Sequence, residues 1–241
     1  MAGHSKWANI RHKKSRADAK KGKVFSRIAK EIISAVKHGG PDPKANPKLR
    51  LVLQKARAAN VPNDNIERNI KKAMSSDQED YYELTYELYG LGGVGIIADV
   101  MTDNKNRISS DMRIATNKCG GSVANPGSVA FNFDRKGVLK LSKKHAIEEE
   151  LFLAETEAGA EDFDVNDDMY LVITDPADLM AVKEEIEKLG FQCDEESFEM
   201  IPKTLIDVDE ETVKANMKLI EWLEGLDDVD DVFHNMNFEE A

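Results

Sequence analysis

The sequence predicts a multi-domain chain of α and α+β units: an N-terminal helical bundle, then an α+β domain interrupted by an inserted ferredoxin-like (βαββαβ) domain. Three observations lead there. At 241 residues the chain is long enough for one to three domains. Its apolar residues recur every three to four positions before residue 76 and alternate like strands after residue 80. Finally, residues 136–204 read as strand–helix–strand–strand–helix–strand, an order complete in itself, yet a further helix and strand follow. Returning that last pair to the segment 80–135 leaves 136–204 as an insertion. The expected domains are therefore 1–76 (basic arm and helical bundle), 80–135 plus 205–241 (discontinuous α+β) and 136–204 (inserted).

Each element has a local reason. Val24, Phe25, Ile28, Ile32, Ile33 and Val36 form one apolar face of a first helix, ended by His38-Gly39-Gly40-Pro41. Asn46-Pro47 reads as an N-cap with proline at the first helical position, opening a second helix through Leu49, Val52, Leu53 and Ala56. Ile66, Ile70 and Met74, four apart, mark a third, from Asn63 or Asp64. The acidic, uncapped run Ser75 to Asp80 is the expected linker. Tyr82 to Tyr89 and Val94 to Met101 flank Gly90-Leu91-Gly92-Gly93 as a β-hairpin. A helix is expected over about 107–118 and a strand at Val129 to Phe133. Within the insertion the expected elements are a strand at 137–142, a helix at 145–157, strands near 160–165 and at 169–174, a helix at 176–189 opened by Asp175-Pro176, and a strand at 196–201. The last helix is expected at about 209–224 and the last strand at about 228–235.

Composition narrows the function classes. Hydrophobic residues make up 41% and charged residues 32%, against about 45–50% and 25% for an average domain. No apolar run approaches the roughly 18 residues of a membrane span, and the opening residues hold no apolar signal core. No membrane partner is expected. Cys119 and Cys193 are too few for a disulfide framework or a four-thiolate zinc site, which fits a reducing, cytoplasmic setting.

The net charge of −12 conceals a segregation of sign. Residues 1–75 hold 19 Lys+Arg and 5 Asp+Glu, and the remainder 14 and 40. Such asymmetry indicates a nucleic-acid-facing arm on an acidic body that repels polyanions and could recruit a protein. Lys6, Arg11, Lys13, Lys14, Arg16, Lys20, Lys21, Lys23 and Arg27 have almost no acidic neighbours in sequence, so phosphates are their expected partners. The competing reading is a solvated helix face. His12 lies within the same run. Trp7, set among cations, is placed either to stack on an unpaired base or to pack the arm onto the helical domain.

Gly90-Leu91-Gly92-Gly93-Val94-Gly95 matches the G-x-G-x-x-G dinucleotide pattern formally. That pattern needs a helix to follow, whereas Ile96 to Val100 reads as a strand, so a hairpin is expected and no nucleotide cofactor. Asn104, Asn106 and Arg107 lie at a strand-to-helix junction, where caps are the ordinary reading and phosphate contacts the second. The five histidines show no metal-ligand spacing with the cysteines, Cys119 lacks a helix N-terminus to activate it, and the acids at Asp227-Asp228 and Asp230-Asp231 read as a strand end on a solvated face. No catalytic group, metal or cofactor is expected.

The chain resembles the YebC family of bacterial proteins, whose mitochondrial relatives act in translation. The resemblance rests on Met1 to Lys14 (MAGHSKWANIRHKK), Gly39-Gly40-Pro41, Asn46 to Arg50, Ala59 to Pro62, Gly90 to Ile97, Thr102 to Arg107 and Gly127-Ser128-Val129. It implies a helical N-terminal domain followed by two α+β domains, one ferredoxin-like and inserted in the other. It also implies a cytoplasmic DNA-binding transcriptional regulator; other relatives resemble ribosome-associated translation factors. Leu88 and Leu91 stand where the family usually has Gly and Pro, and Ile108-Ser109-Ser110 replaces smaller residues after Arg107.

Three functional readings follow in order: a non-catalytic DNA-binding regulator, an RNA- or ribosome-associated translation factor, and an enzyme using the α+β cleft. No helix-turn-helix spacing, RNP signature or KH loop is visible, so recognition is expected to read phosphate more than base.

Overall fold

The computed structural model describes residues 17–75, 80–143, 151, 156, 158–165 and 169–237, with side chains from Gly22 onward. Among the described residues it is a mixed structure of six continuous helices and largely antiparallel sheets, consistent with a multi-domain α+β chain. Two compact units emerge: residues 17–128 with 208–232, and residues 129–207 with 233–237.

In the first unit, α1 (Ala17–Gly39), α2 (Pro47–Ala58) and α3 (Asn63–Ala73) bury one face each. Ile28, Ile32, Ile33 and Val36 of α1 meet Leu49, Val52 and Ala56 of α2 and Ile66 and Ala73 of α3. The sharp α1–α2 corner depends on Asn46, which is 3% exposed. Its Oδ1 accepts from Leu49 N at 3.0 Å as the N-cap, while its Nδ2 donates to the carbonyls of Ala35 and Gly40, each at 2.8 Å. Gly39 must lack a side chain there, because a Cβ would lie 2.6 Å from the Asn46 amide. Two residues expected in the core lie outside it. Val24 (43% exposed) precedes the buried stripe, which starts at Ile28, and Met74 (64% exposed) caps α3 beyond its last buried residue, Ala73. The expected linker lies largely outside the described residues, at 76–79.

Strands β1 (Tyr82–Tyr89) and β2 (Gly95–Thr102) pair as an antiparallel hairpin, from Tyr82 opposite Thr102 to Tyr89 opposite Gly95. A 3-10 turn at Leu91–Gly93 closes it, with Gly92 and Gly93 at φ of 69° and 80°, the left-handed region that glycine tolerates. Helix α4 (Lys105–Cys119) follows, then the short β3 (Ser122–Val123) beside β1. Helix α6 (Glu210–Gly225), capped by Asp209 accepting from Thr212 N at 2.8 Å, packs against α4. Strand β9 (Val229–His234) neighbours β2, giving the sheet order β3-β1-β2-β9.

The second unit is built on β4 (Phe133–Ser142), β5 (Asp162–Val165), β6 (Met169–Thr174) and β7 (Glu195–Pro202), in the order β5-β6-β4-β7 with every neighbour antiparallel. Helix α5 (Leu179–Lys188) joins β6 to β7 and buries Leu179, Val182 and Ile186 with Leu139, Leu141, Tyr170 and Val172. Short β8 (Ile206–Asp207) and β10 (Met236–Asn237) pair in parallel. The expected helix at 145–157 lies outside the described residues apart from Leu151 and Thr156.

Two expected boundaries shift. Residues 130–132 form a 3-10 turn instead of a strand, because Asn132 N bonds back to Val129 O at 3.1 Å, and β4 then starts at Phe133. Helix α5 begins at Leu179, not at 176, because Asp175 turns the chain first: its Oδ1 accepts from Ala177 N at 2.8 Å and its carbonyl from Asp178 N at 3.1 Å.

Candidate nucleic-acid interface

Of the expected contact residues, Lys6, Trp7, Arg11, His12, Lys13, Lys14 and Arg16 lie outside the described residues, and Lys20 and Lys21 are described only as α1 backbone. Lys23 and Arg27 are described, and the expectation that they stand free is corrected. Together with Lys30 they are spaced i, i+4, i+7 on one face of α1, and that face meets the acidic segment 227–231.

Lys23 Nζ donates to the carbonyl of Glu224 and lies 3.4 Å from Leu226 O and 3.2 Å from Val229 O. Burial lowers its pKa, against the raising influence of Glu224, Asp230, Asp231 and Asp227. Arg27 reaches Glu31 Oε1 at 3.2 Å, Asp231 Oδ2 at 2.9 Å and Asp230 Oδ2 at 3.7 Å. Burial acts to lower its pKa too, but the carboxylates of Asp230, Asp231 and Glu31 outweigh it and the net direction is upward. Lys30, 8% exposed, donates to Met101 O at 2.9 Å and Asp227 O at 2.8 Å and lies 3.5 Å from Asp228 Oδ1.

Asp228 is the hub of this seam. It is 7% exposed, and its Oδ2 accepts from Thr102 Oγ1 at 2.9 Å and from Arg107 Nη2 and Nε at 2.6 and 3.2 Å. The reading of this acidic run as a solvated strand end is therefore corrected for Asp228. Asp230 is also enclosed: burial pushes its carboxyl up to about 6, over the attraction of Arg27 and Lys30 and with added repulsion from Asp231 and Glu31.

The strand-to-helix junction resolves in favour of caps. Asn104 Oδ1 accepts from Asn106 N at 3.1 Å and Arg107 N at 3.0 Å, and Asn106 is exposed. Arg107 is held by Asp228 and, at 2.7 Å, by Asp103; these hydrogen bonds raise its pKa. The glycine-rich turn closes a hairpin and is followed in sequence by strand β2, not by a helix. Buried Asn216 of α6 clamps it, accepting from Leu91 N at 2.8 Å and donating to Leu91 O at 3.0 Å. Among the described residues no group of three His, Cys, Asp or Glu is placed to hold a metal ion. Burial pushes the Cys193 thiol up to about 12, far from a reactive thiolate.

The cations that sequence reasoning passed over are on α2 and α3. Arg50, Arg57, Arg68, Lys71 and Lys72 are all exposed, and none makes an ion pair among the described residues. Their spacing was legible, but the dense run before residue 30 drew the charge argument to itself.

The family model described as the TACO1/YebC protein N-terminal domain matches residues 5–76, and that of the TACO1/YebC second and third domain matches residues 81–236. The chain belongs to the TACO1/YebC family. It is 70% identical over 240 residues to a probable transcriptional regulatory protein of Protochlamydia amoebophila, covering 100% of this chain and 98% of that one. It is 58% identical over 238 residues to one of Chlamydia trachomatis serovar L2, covering 98% and 100%. Among solved structures, a conserved hypothetical protein of Aquifex aeolicus superposes with a TM-score of 0.83 at 40% identity, covering 98% of each chain. The two leucines that depart from the TACO1/YebC pattern are accommodated: Leu88 is fully buried in β1, and Leu91 carries the backbone groups that Asn216 clamps. Ile108, the third departure, is fully buried in α4.

Proposed function

We propose that the chain is a non-catalytic, cytoplasmic regulator that binds nucleic acid, with DNA as the target and transcription as the process. The observation that carries this reading is the segregation of charge: 19 Lys+Arg against 5 Asp+Glu in residues 1–75, on a body of opposite sign. The names of the relatives at 70% and 58% identity support the regulatory role. In this reading the arm residues Lys6, Arg11, His12, Lys13, Lys14, Arg16, Lys20 and Lys21 bind phosphate, Asn104 and Asn106 are secondary contacts, and the unit built on β4–β7 is an inserted ferredoxin-like domain that positions the arm or recruits protein. Lys23, Arg27 and Arg107 are assigned to the seam.

RNA is the second reading, and Trp7 is what favours it. A phosphate-tracking arm gains little from an indole on stacked duplex, whereas an unpaired base on the ring contributes about 1–3 kcal/mol.

The test is the salt dependence of binding by the full chain and by a chain lacking residues 1–16, a cut that spares the α1 seam. Five phosphate contacts give a slope of log K against log salt of about −4.5 on duplex DNA, and the deletion should flatten it. An unchanged slope removes the arm from the interface. Trp7→Ala should leave duplex binding intact and weaken binding to looped RNA if RNA is the target; equal small losses on both would retire the stacking idea.

A further inference from the structure

We propose that the exposed side of α2 and α3 is a phosphate-binding surface for nucleic acid, with Arg50, Arg57, Arg68, Lys71 and Lys72 as its contacts. The proposal rests on the nucleic-acid reading above and locates within it a surface separate from the arm. Lys23, Arg27 and Lys30 are turned onto carbonyls and carboxylates at 224–231 and Met101, so phosphate could reach them only by dismantling the seam. Among the described residues the five cations of α2 and α3 make no ion pair.

Their placement is ordered. Arg50 and Arg57 are seven residues apart, which returns them to the same side of α2 about 10 Å apart along its axis. Arg68 is followed at i+3 and i+4 by Lys71 and Lys72, one side of α3. Each row faces several phosphates of a duplex, which carries one charge per about 1.7 Å of axis. The three arginines add fork geometry that suits bidentate phosphate binding. Asp64 and Glu67 precede Arg68 and Lys71 by four residues, yet neither forms an ion pair with them within 4 Å among the described residues, leaving those N–H groups available. The residues from 76 onward, 14 basic against 40 acidic, repel a polyanion and so favour its seating on the helical side.

The experiment uses the full chain with a short duplex DNA and a stem-loop RNA, measuring Kd across a salt series. Two variants probe the surface: Arg50→Gln with Arg57→Gln, and Arg68→Gln with Lys71→Gln and Lys72→Gln. Each should reduce the slope of log K against log salt by about one per contacting cation and raise Kd about tenfold or more at low salt. Arg50→Lys with Arg57→Lys should keep the slope, and all variants should melt as the parent does, because no ion pair among the described residues is lost. Lys214→Gln with Lys218→Gln, on α6, removes two charges elsewhere and should change neither quantity. Wild-type slopes in both α2 and α3 variants, with a flattened slope after deleting residues 1–16, would overturn the proposal and leave the nucleic-acid reading standing. An equal loss in the α6 control would also overturn it, since net charge alone would then account for binding. Capture of acidic polypeptides but neither nucleic acid would overturn both.

Discussion

The cations of α1 and those of α2 and α3 belong to one helical block and meet opposite surroundings. Lys23, Arg27 and Lys30 point into an acidic seam more than 190 residues away in sequence, whereas Arg50, Arg57, Arg68, Lys71 and Lys72 point into solvent without ion pairs among the described residues. The same residue types therefore do different work. In α1 they fasten the helix to β2 and β9 inside one compact unit; on α2 and α3 they leave positive charge on the surface. Counting basic residues along a sequence measures neither quantity, because availability depends on what the fold brings alongside.

The contrast breaks most sharply at Asp228. Asp228→Ala removes the carboxylate shared by Thr102, Arg107 and Lys30 and leaves a buried ammonium with carbonyl partners but without this counter-ion, so it should destabilise the chain by about 3–5 kcal/mol in urea melts. A loss below about 1 kcal/mol would mean that water replaces the carboxylate and that the seam is not structural.

The next effect is a dependence on pH at Asp230. Its carboxyl ordinarily titrates at 3.8 and is pushed to about 6 by burial, so the folded chain holds this proton more tightly than the unfolded one. The stability it contributes is complete below about pH 4 and is lost as pH rises through 6. Asp230→Asn escapes that loss, so its stability relative to the parent should improve by roughly 2 kcal/mol between pH 4 and pH 7.5. Paired urea melts at the two pH values measure the change. A relative stability that worsens with pH would show instead that Arg27 and Lys30 hold Asp230 as an ion.

Arginine against arginine sharpens the comparison further. Arg27→Ala loses the contacts to Glu31, Asp230 and Asp231 and should cost about 1–2 kcal/mol, a figure already reduced for its partial exposure. Arg57→Ala, exposed and without an ion pair among the described residues, should fall within about 0.5 kcal/mol of zero. Equal losses would erase the distinction between the two sets.

Much of the local structure was legible. Asn46-Pro47 announces the start of α2 through a cap whose chemistry is contained within four residues, and the strand after Gly95 makes the glycine-rich turn a hairpin without reference to anything distant. Asn104 likewise proves to be the cap of α4. The seam was hidden for the opposite reason. Asp228 alternates with valine as a solvated strand end does, and its partners lie 121 to 198 positions away, so no local pattern marks it as buried. The i, i+4, i+7 spacing of Lys23, Arg27 and Lys30 places them on one face of α1, but nothing local says what that face meets. The α2 and α3 cations were equally readable but carried less weight than the denser run ahead of them.

The smallest expected effect lies where the two sets touch. Lys55 of α2 reaches Glu31 Oε2 of α1 at 3.2 Å, and Glu31 also receives Arg27. Lys55 is 57% exposed, so water competes for its ammonium, and holding a long side chain in one rotamer offsets much of the Coulomb gain. Glu31, at 12% exposure, keeps Arg27 as a partner when Lys55 is removed and is not left alone. Lys55→Met should therefore lower stability by about 0.5 kcal/mol or less, and the difference should vanish near 1 M salt, where the screening length falls to about 3 Å. A loss above about 1.5 kcal/mol that survives high salt would make Lys55 part of the seam, and the boundary between engaged and available cations would then run through α2 instead of between α1 and α2.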